Sequence, residues 1–299
     1  MITVFSQILI LVVFAAIGFF LSKAKIVDNN QTKILSALGV YVFLPATIFR
    51  SFASNFTVDY IKEKYYLILI SLGLLLVLVA VFHFVAKLFT KDSYKRAVYH
   101  YSLLISNYSY MGYALTGALF GEEMLLNVMI FTMPLTVYIH TIGFCRLTGK
   151  KLSLKNIIDP SLIAIFLGAV VGISGIVLPQ VVSDIFSKAS ACMAPVSMLM
   201  TGMVISQFGI IKMLKNKNTY IITALRLIVI PAVLAFTLRL FCPEDAVKVA
   251  VIVYCLPCGL NTVVFPKLAG QDCEPGASLA VVSNLLSLIT IPLCINFLL

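Results

Sequence analysis

Carboxylates are missing from the interior of every long apolar run in this sequence. All 12 acidic residues fall in polar connections or at run ends. Cation carriers and proton-coupled pumps keep an intramembrane carboxylate, because so costly a group marks the ion path. Its absence favours an anionic or neutral substrate and weakens proton coupling through a carboxylate. Histidine is scarce too: His83, His100 and His140 are the only three, each near the end of an apolar run. With no zinc-ligand spacing, no cluster of acids and no histidine beside a nucleophile, a membrane enzyme is disfavoured. No polar stretch is long enough for a soluble signalling domain, which argues against a receptor. The first apolar run, Thr3 to Leu21, lacks a basic leader and a small-residue cleavage site, and so reads as a first span. The seven cysteines are an odd, scattered set, with no disulfide framework in them. Cys255-Leu256-Pro257-Cys258 matches a redox spacing without a βαβ context, so Cys258 reads instead as lining a helix break.

What is present is apolar. Hydrophobic residues make up 61% of the chain and charged residues 11%, and the mean hydropathy is +1.05. This is the composition of a polytopic membrane protein. The formal charge of +10 sits in short connections where topology accounts for it, which excludes nucleic acid as a partner. Apolar windows predict ten spans, near 3–22, 34–53, 65–89, 97–121, 124–146, 159–179, 189–210, 219–241, 245–269 and 275–298. Fifteen basic residues, among them Lys23, Lys33, Lys91, Arg96, Lys155, Lys212 and Lys215, fall on one side and six on the other. The positive-inside rule then places both termini extracytoplasmic, and the expected location is the plasma (inner) membrane. The polar connection Arg146 to Asp159 divides the chain into 1–150 and 151–299, five spans each. An odd number per half requires the second half to be inverted relative to the first. Pro45 in span two and Pro195 in span seven echo each other. In span six, Gly168 and Gly172 make a small-residue face for close helix packing.

Two spans are interrupted at matching ordinal positions. Span four carries Ser106-Asn107-Tyr108-Ser109-Tyr110-Met111-Gly112, and span nine carries Pro257-Cys258-Gly259-Leu260-Asn261. Paired interruptions of this kind are the best sequence pointer to a transporter's binding site. Each break should start a second half-helix, near Gly112 and near Thr262, with exposed N–H groups and a positive dipole end suited to an anion. Asn107 and Asn261 would add amide donors. The first half-helices end nearby, and their carbonyls could hold a cation such as Na+. Arg226, inside span eight, either snorkels to the interface or lines an inner vestibule. Ser283 and Ser287 share a helix face in span ten, for interhelical hydrogen bonding or for a cavity.

Over essentially its whole length the chain resembles the auxin efflux carrier family of secondary transporters, to which bacterial malonate and malate permeases belong. The resemblance rests on Gly18-Phe19-Phe20-Leu21 with Lys23, Tyr41 to Ala46, Asn107 to Gly112, and Pro195 to Gly202. It continues through Pro257, Asn261, Gly270, Asp272, Ser287 and Pro292. It implies an all-α membrane protein of ten transmembrane helices in two inverted five-helix repeats, similar to sodium/bile-acid symporters. Broken spans four and nine would cross at the substrate site, a scaffold part and a transport part would move against each other, and a homodimer is common. Substrate contacts are then expected at Ser106, Asn107, Tyr108, Met111 and Gly112 and at Pro257, Cys258, Gly259, Leu260 and Asn261. Pro45, Pro195, Arg226, Ser283 and Ser287 would support them. Ser109 stands where many members have Gly, and Ala114 where many have Pro. The expected function is secondary transport of a small organic anion, a carboxylate or dicarboxylate, by alternating access. No cofactor or metal site is expected, and Na+ or H+ coupling stays open. The alternative is a Na+-coupled carrier of a neutral or bile-acid-like solute.

Overall fold

The computed structural model describes residues 2–151, 160–207 and 216–299. Lys155, Asp159, Lys212 and Lys215, used above for topology, lie outside the described residues. The described chain is helical, and its outer surface is covered by side chains such as Phe20, Leu76, Phe166 and Val233. An apolar exterior on this scale needs lipid as its solvent. The protein is a multi-pass membrane protein.

The first span is α1 (Ile2–Lys23). The second is continuous through α2 (Asn29–Leu38), a π-helical turn (Gly39–Phe43) and α3 (Leu44–Asn55). Pro45 explains the wide turn, because it has no N–H to return to the carbonyl four residues back. A short α4 (Val58–Lys64) leads into α5 (Tyr66–Phe89). Helix α6 (Ser93–Leu104) starts on Asp92, whose carboxylate accepts from the N–H groups of Tyr94 and Lys95. After the first break come a π-helical turn (Tyr108–Gly112) and α7 (Tyr113–Tyr138), which turns a corner at Gly121, where φ is +82°. A third π-helical turn (Ile139–Gly143) and α8 (Phe144–Thr148) complete the fifth window.

The second half holds α9 (Pro160–Ser174), α10 (Gln180–Ala191) and α11 (Met193–Ser206). Pro195 lies just past the α10–α11 joint, as Pro45 lies just past its π turn. Next come α12 (Lys217–Ala224), a π-helical turn (Leu225–Val229) and α13 (Ile230–Leu238). Helices α14 (Glu244–Tyr254) and α15 (Asn261–Ala269) flank the second break, and α16 (Glu274–Leu298) closes the chain.

Seven of these helical stretches are long and apolar enough to cross a membrane by length and composition, and α9 is apolar but shorter. Windows four and nine are each split by a break into short halves, and windows four and five run together through the Gly121 corner.

Packing separates the bundle into two bodies. Helices α1, α2, α3, α9, α10 and α11 pack mainly on one another, as do α5 to α8 together with α12 to α16. The first body is stitched by backbone-to-backbone approaches that only glycine permits. A Cβ on Gly18 would lie 2.0 Å from the Leu199 carbonyl oxygen, and one on Gly202 1.8 Å from that of Ala15. On the other pair, a Cβ on Gly168 would meet Phe49 and Phe52, and one on Gly172 the Phe52 carbonyl at 2.6 Å. The small-residue face read from span six is a close-packing face against α3.

Candidate functional site: the crossing of the two broken helices

The two breaks meet backbone to backbone. Ser106 and Cys258 form an antiparallel bridge, and the Asn107 N–H donates to the Pro257 carbonyl at 2.8 Å. Sequence dictates this locally. Pro257 cannot donate and biases Leu256 away from helix, while Ser106 and Asn107 offer side chains that compete with a helical backbone. In lipid the freed groups must find partners, and each break supplies them to the other. Gly259 lets the strands approach, since an added Cβ would sit 3.3 Å from the Ser106 carbonyl oxygen. From α16, Ser283 Oγ accepts the Cys258 N–H at 3.0 Å. Ser287 Oγ donates instead to Asn284 of its own helix and borders a separate apolar cavity between α1, α11 and α16.

The second half of span four does not begin at Gly112. It starts at Tyr108, because the Asn107 carbonyl accepts from both Met111 and Gly112 and nucleates the π turn. Gly112 is a crossing point: a Cβ there would lie 2.5 Å from Leu256 Cδ1. The second half of span nine starts at Asn261, one residue before the expected position. It ends at Gly270, in the left-handed conformation of a helix C-terminus.

A cavity of about 180 Å³ lies over this crossing, between the two bodies. Its walls are Ser36, Leu44 and Phe52 from the second span, Met200 from α11 and Ser161 from α9 on one side. Facing them are Tyr108, Tyr110, Tyr113, Thr136, His140, Leu260 and Asn261. Among the described residues that line it there is no Asp, Glu, Lys or Arg. A second cavity of about 340 Å³ shares Ser36, Met200, Leu260 and Val264 with the first and extends to Lys33 and Lys267.

Of the ten expected contact residues, Tyr108, Leu260 and Asn261 line the cavity. Ser106, Gly112, Pro257, Cys258 and Gly259 build the packed crossing beneath it, and Met111 faces the apolar cavity with Ser287. Asn261 Nδ2 donates to Tyr101 Oη at 3.0 Å. Asn107 is buried next to cavity-lining Tyr108, and its Nδ2 has no hydrogen-bond partner among the described residues. An unpaired buried amide is costly, and here it stands at the crossing. The Ser106 hydroxyl beside it is also buried and unpaired.

Sequence reading missed the span-five contribution. Thr132, Thr136 and His140 are spaced by four, one face of a helix. Tyr113 bonds Thr132 at 2.9 Å and Tyr108 bonds Thr136 at 2.8 Å, so this stripe holds two of the cavity's three tyrosines. That spacing was the available signal. His100 is buried and hydrogen-bonded: Nε2 faces the Val79 carbonyl at 3.1 Å, and Nδ1 faces Arg146 at 3.2 Å. Donation by Nε2 to the carbonyl leaves Nδ1 to accept from the guanidinium, the neutral tautomer.

Arg226 corrects both sequence readings. It neither snorkels nor lines a vestibule: it is fully buried. Its guanidinium donates to the carbonyls of Leu103 at 2.9 Å, Val253 at 3.3 Å and Leu256 at 3.3 Å, and packs over the Tyr254 ring at 5.0 Å. The π-helical turn that carries it precedes Pro231, which leaves the Leu227 carbonyl without its helical donor. The Cys294 thiol donates to that carbonyl at 3.3 Å.

An all-helical membrane bundle in which two interrupted helices cross beside a cavity belongs among the membrane transporters. The comparison with protein families makes this specific. A model described as membrane transport protein matches residues 3–151 and 143–295, and the chain belongs to that family, the auxin efflux carriers. No curated protein matches the chain significantly.

Proposed function

We propose that this protein is a secondary transporter of a small organic anion, a carboxylate or dicarboxylate, working by alternating access at the crossing of spans four and nine. The carrying observation is the unpartnered, buried Asn107 amide at a backbone-bridged crossing of two helix breaks. The half-helices that begin at Tyr108 and Asn261 present their positive ends there. The cavity above holds hydroxyls, an imidazole and an amide, and no carboxylate to repel an anion.

In this reading the chain has ten spans in two inverted repeats, 1–150 and 151–299, with both termini extracytoplasmic in the plasma (inner) membrane. The body built on α1–α3 and α9–α11 is the scaffold, and in a dimer it would hold the partner copy. The other body carries the crossing and rocks against it. The paired joints at Pro45 and Pro195 and the reciprocal glycine seams favour the inverted repeat. A neighbouring cavity that shares four lining residues with the first and reaches Lys33 and Lys267 favours a substrate path toward that end.

Thermal stabilisation of the purified protein by mono- and dicarboxylates, aromatic acids and neutral solutes tests the reading, since a ligand raises the melting temperature by mass action. One carboxylate class should stabilise the wild type, and Asn107→Ala and Asn261→Ala should abolish the effect while still folding. Wild-type affinity in both variants would sink the crossing as the site. Stabilisation by neutral or steroid-like solutes alone would replace the anion with the alternative substrate class.

A further inference from the structure

The crossing contains a place that physics reserves for a cation. Helices α6 and α14 both end there, and the last carbonyls of a helix lack intrahelical partners and carry the negative end of its dipole. Two such ends converging in a lipid-embedded bundle require a positive partner, and half-helix C-termini with unwound carbonyls are where transporters hold Na+. In this chain the partner is built in. The Arg226 guanidinium donates to Leu103 at the end of α6, to Val253 at the end of α14, and to Leu256 in the break itself. Its three bonds thus reach both broken spans. No carboxylate lies within ion-pair distance of it among the described residues. A fully buried charge with no counter-ion is expensive unless it is satisfied by hydrogen bonds, and here convergent carbonyl dipoles supply them.

We propose that Arg226 is the resident cation of the crossing: it takes the position of a coupling metal ion, so the site assembles and binds its substrate without Na+. Arg226 acts here as a positioning residue, holding the two half-helix ends together and keeping the crossing positive. The substrate half of this statement rests on the transporter reading above; the cation half does not.

The test separates the two. In the absence of any substrate, Arg226→Ala should melt well below the wild type and be raised by several degrees with millimolar methylguanidinium or Na+, neither of which should move the wild type. Failure of both ions to rescue a folded Arg226→Ala protein overturns the proposal. Should Arg226→Ala not fold, the comparison of Arg226→Lys with Arg226→Met decides. Lysine keeps the charge and methionine keeps much of the volume, so Arg226→Lys should melt clearly higher. Equal melting temperatures would mean that packing alone matters and would overturn it. For a carboxylate that stabilises the wild type, affinity should be the same in sodium and in choline chloride. A marked dependence on Na+ would sink the claim of ion-free assembly even if the crossing is the substrate site.

Discussion

At the scale of single residues, the two asparagines of the crossing do different work. Asn261 faces the cavity and donates to Tyr101, whereas Asn107 is buried with an idle amide. Tyr101→Phe removes one hydrogen bond to a partly buried group, a loss of about 1 kcal/mol. It should therefore lower the melting temperature modestly and leave ligand stabilisation in place, whereas Asn261→Ala should remove ligand stabilisation at a similar stability loss. If Tyr101→Phe abolished ligand stabilisation as completely, the phenol rather than the amide would be the contact. Both asparagines were legible in the sequence because a polar residue inside an apolar run has few bland explanations. Arg226 was legible as a charge within a span and not as a cap. Its partners come from two other spans, and only the folded chain brings the Leu103 and Val253 carbonyls to one place.

At the scale of helices, composition and proline placement carried most of the reading, because lipid forces every span to be apolar and every break to be satisfied. Helix ends were less legible. The start of the second half of span four was expected at Gly112 and is found at Tyr108, since one carbonyl, that of Asn107, can nucleate a π turn that no residue pattern announces. The seams show the opposite case. Gly168 and Gly172 were readable as a packing face from their spacing, and the structure gives them α3 as the partner. The α1–α11 seam allows a sharp test. A methyl group on Gly202 would overlap the Ala15 carbonyl, so Gly202→Ala forces the helices apart and should destabilise the protein by about 1–3 kcal/mol or more. Gly73, in α5, has nothing within 4 Å of an added Cβ, and Gly73→Ala should leave stability unchanged or slightly raised. Equal melting temperatures for the two variants would mean that the seam yields more readily than its geometry allows.

At the scale of the whole molecule, the two bodies are tied in several places: Ser197 donates to the Tyr110 carbonyl, Lys267 donates to Gln207, and Arg50 of α3 meets the Gly121 corner. Arg50 pairs with Glu122 at 2.8 Å, with both side chains partly exposed. Phe52, two residues from Arg50, lines the cavity, and a second cavity that shares lining residues with it reaches Lys33 and Lys267. If the two bodies exchange arrangements as proposed, an ion pair joining them favours the present arrangement. A half-exposed pair contributes at most about 1 kcal/mol, so breaking it can shift the balance between the two arrangements by up to about fivefold. Glu122→Gln should therefore speed the labelling of a Phe52→Cys reporter by a membrane-impermeant maleimide applied in sealed vesicles at the Arg50 end. The charge-swapped pair Arg50→Glu with Glu122→Arg should return labelling toward the parent rate. Labelling that ignores both changes would make the pair a surface contact with no hold on the proposed exchange between arrangements.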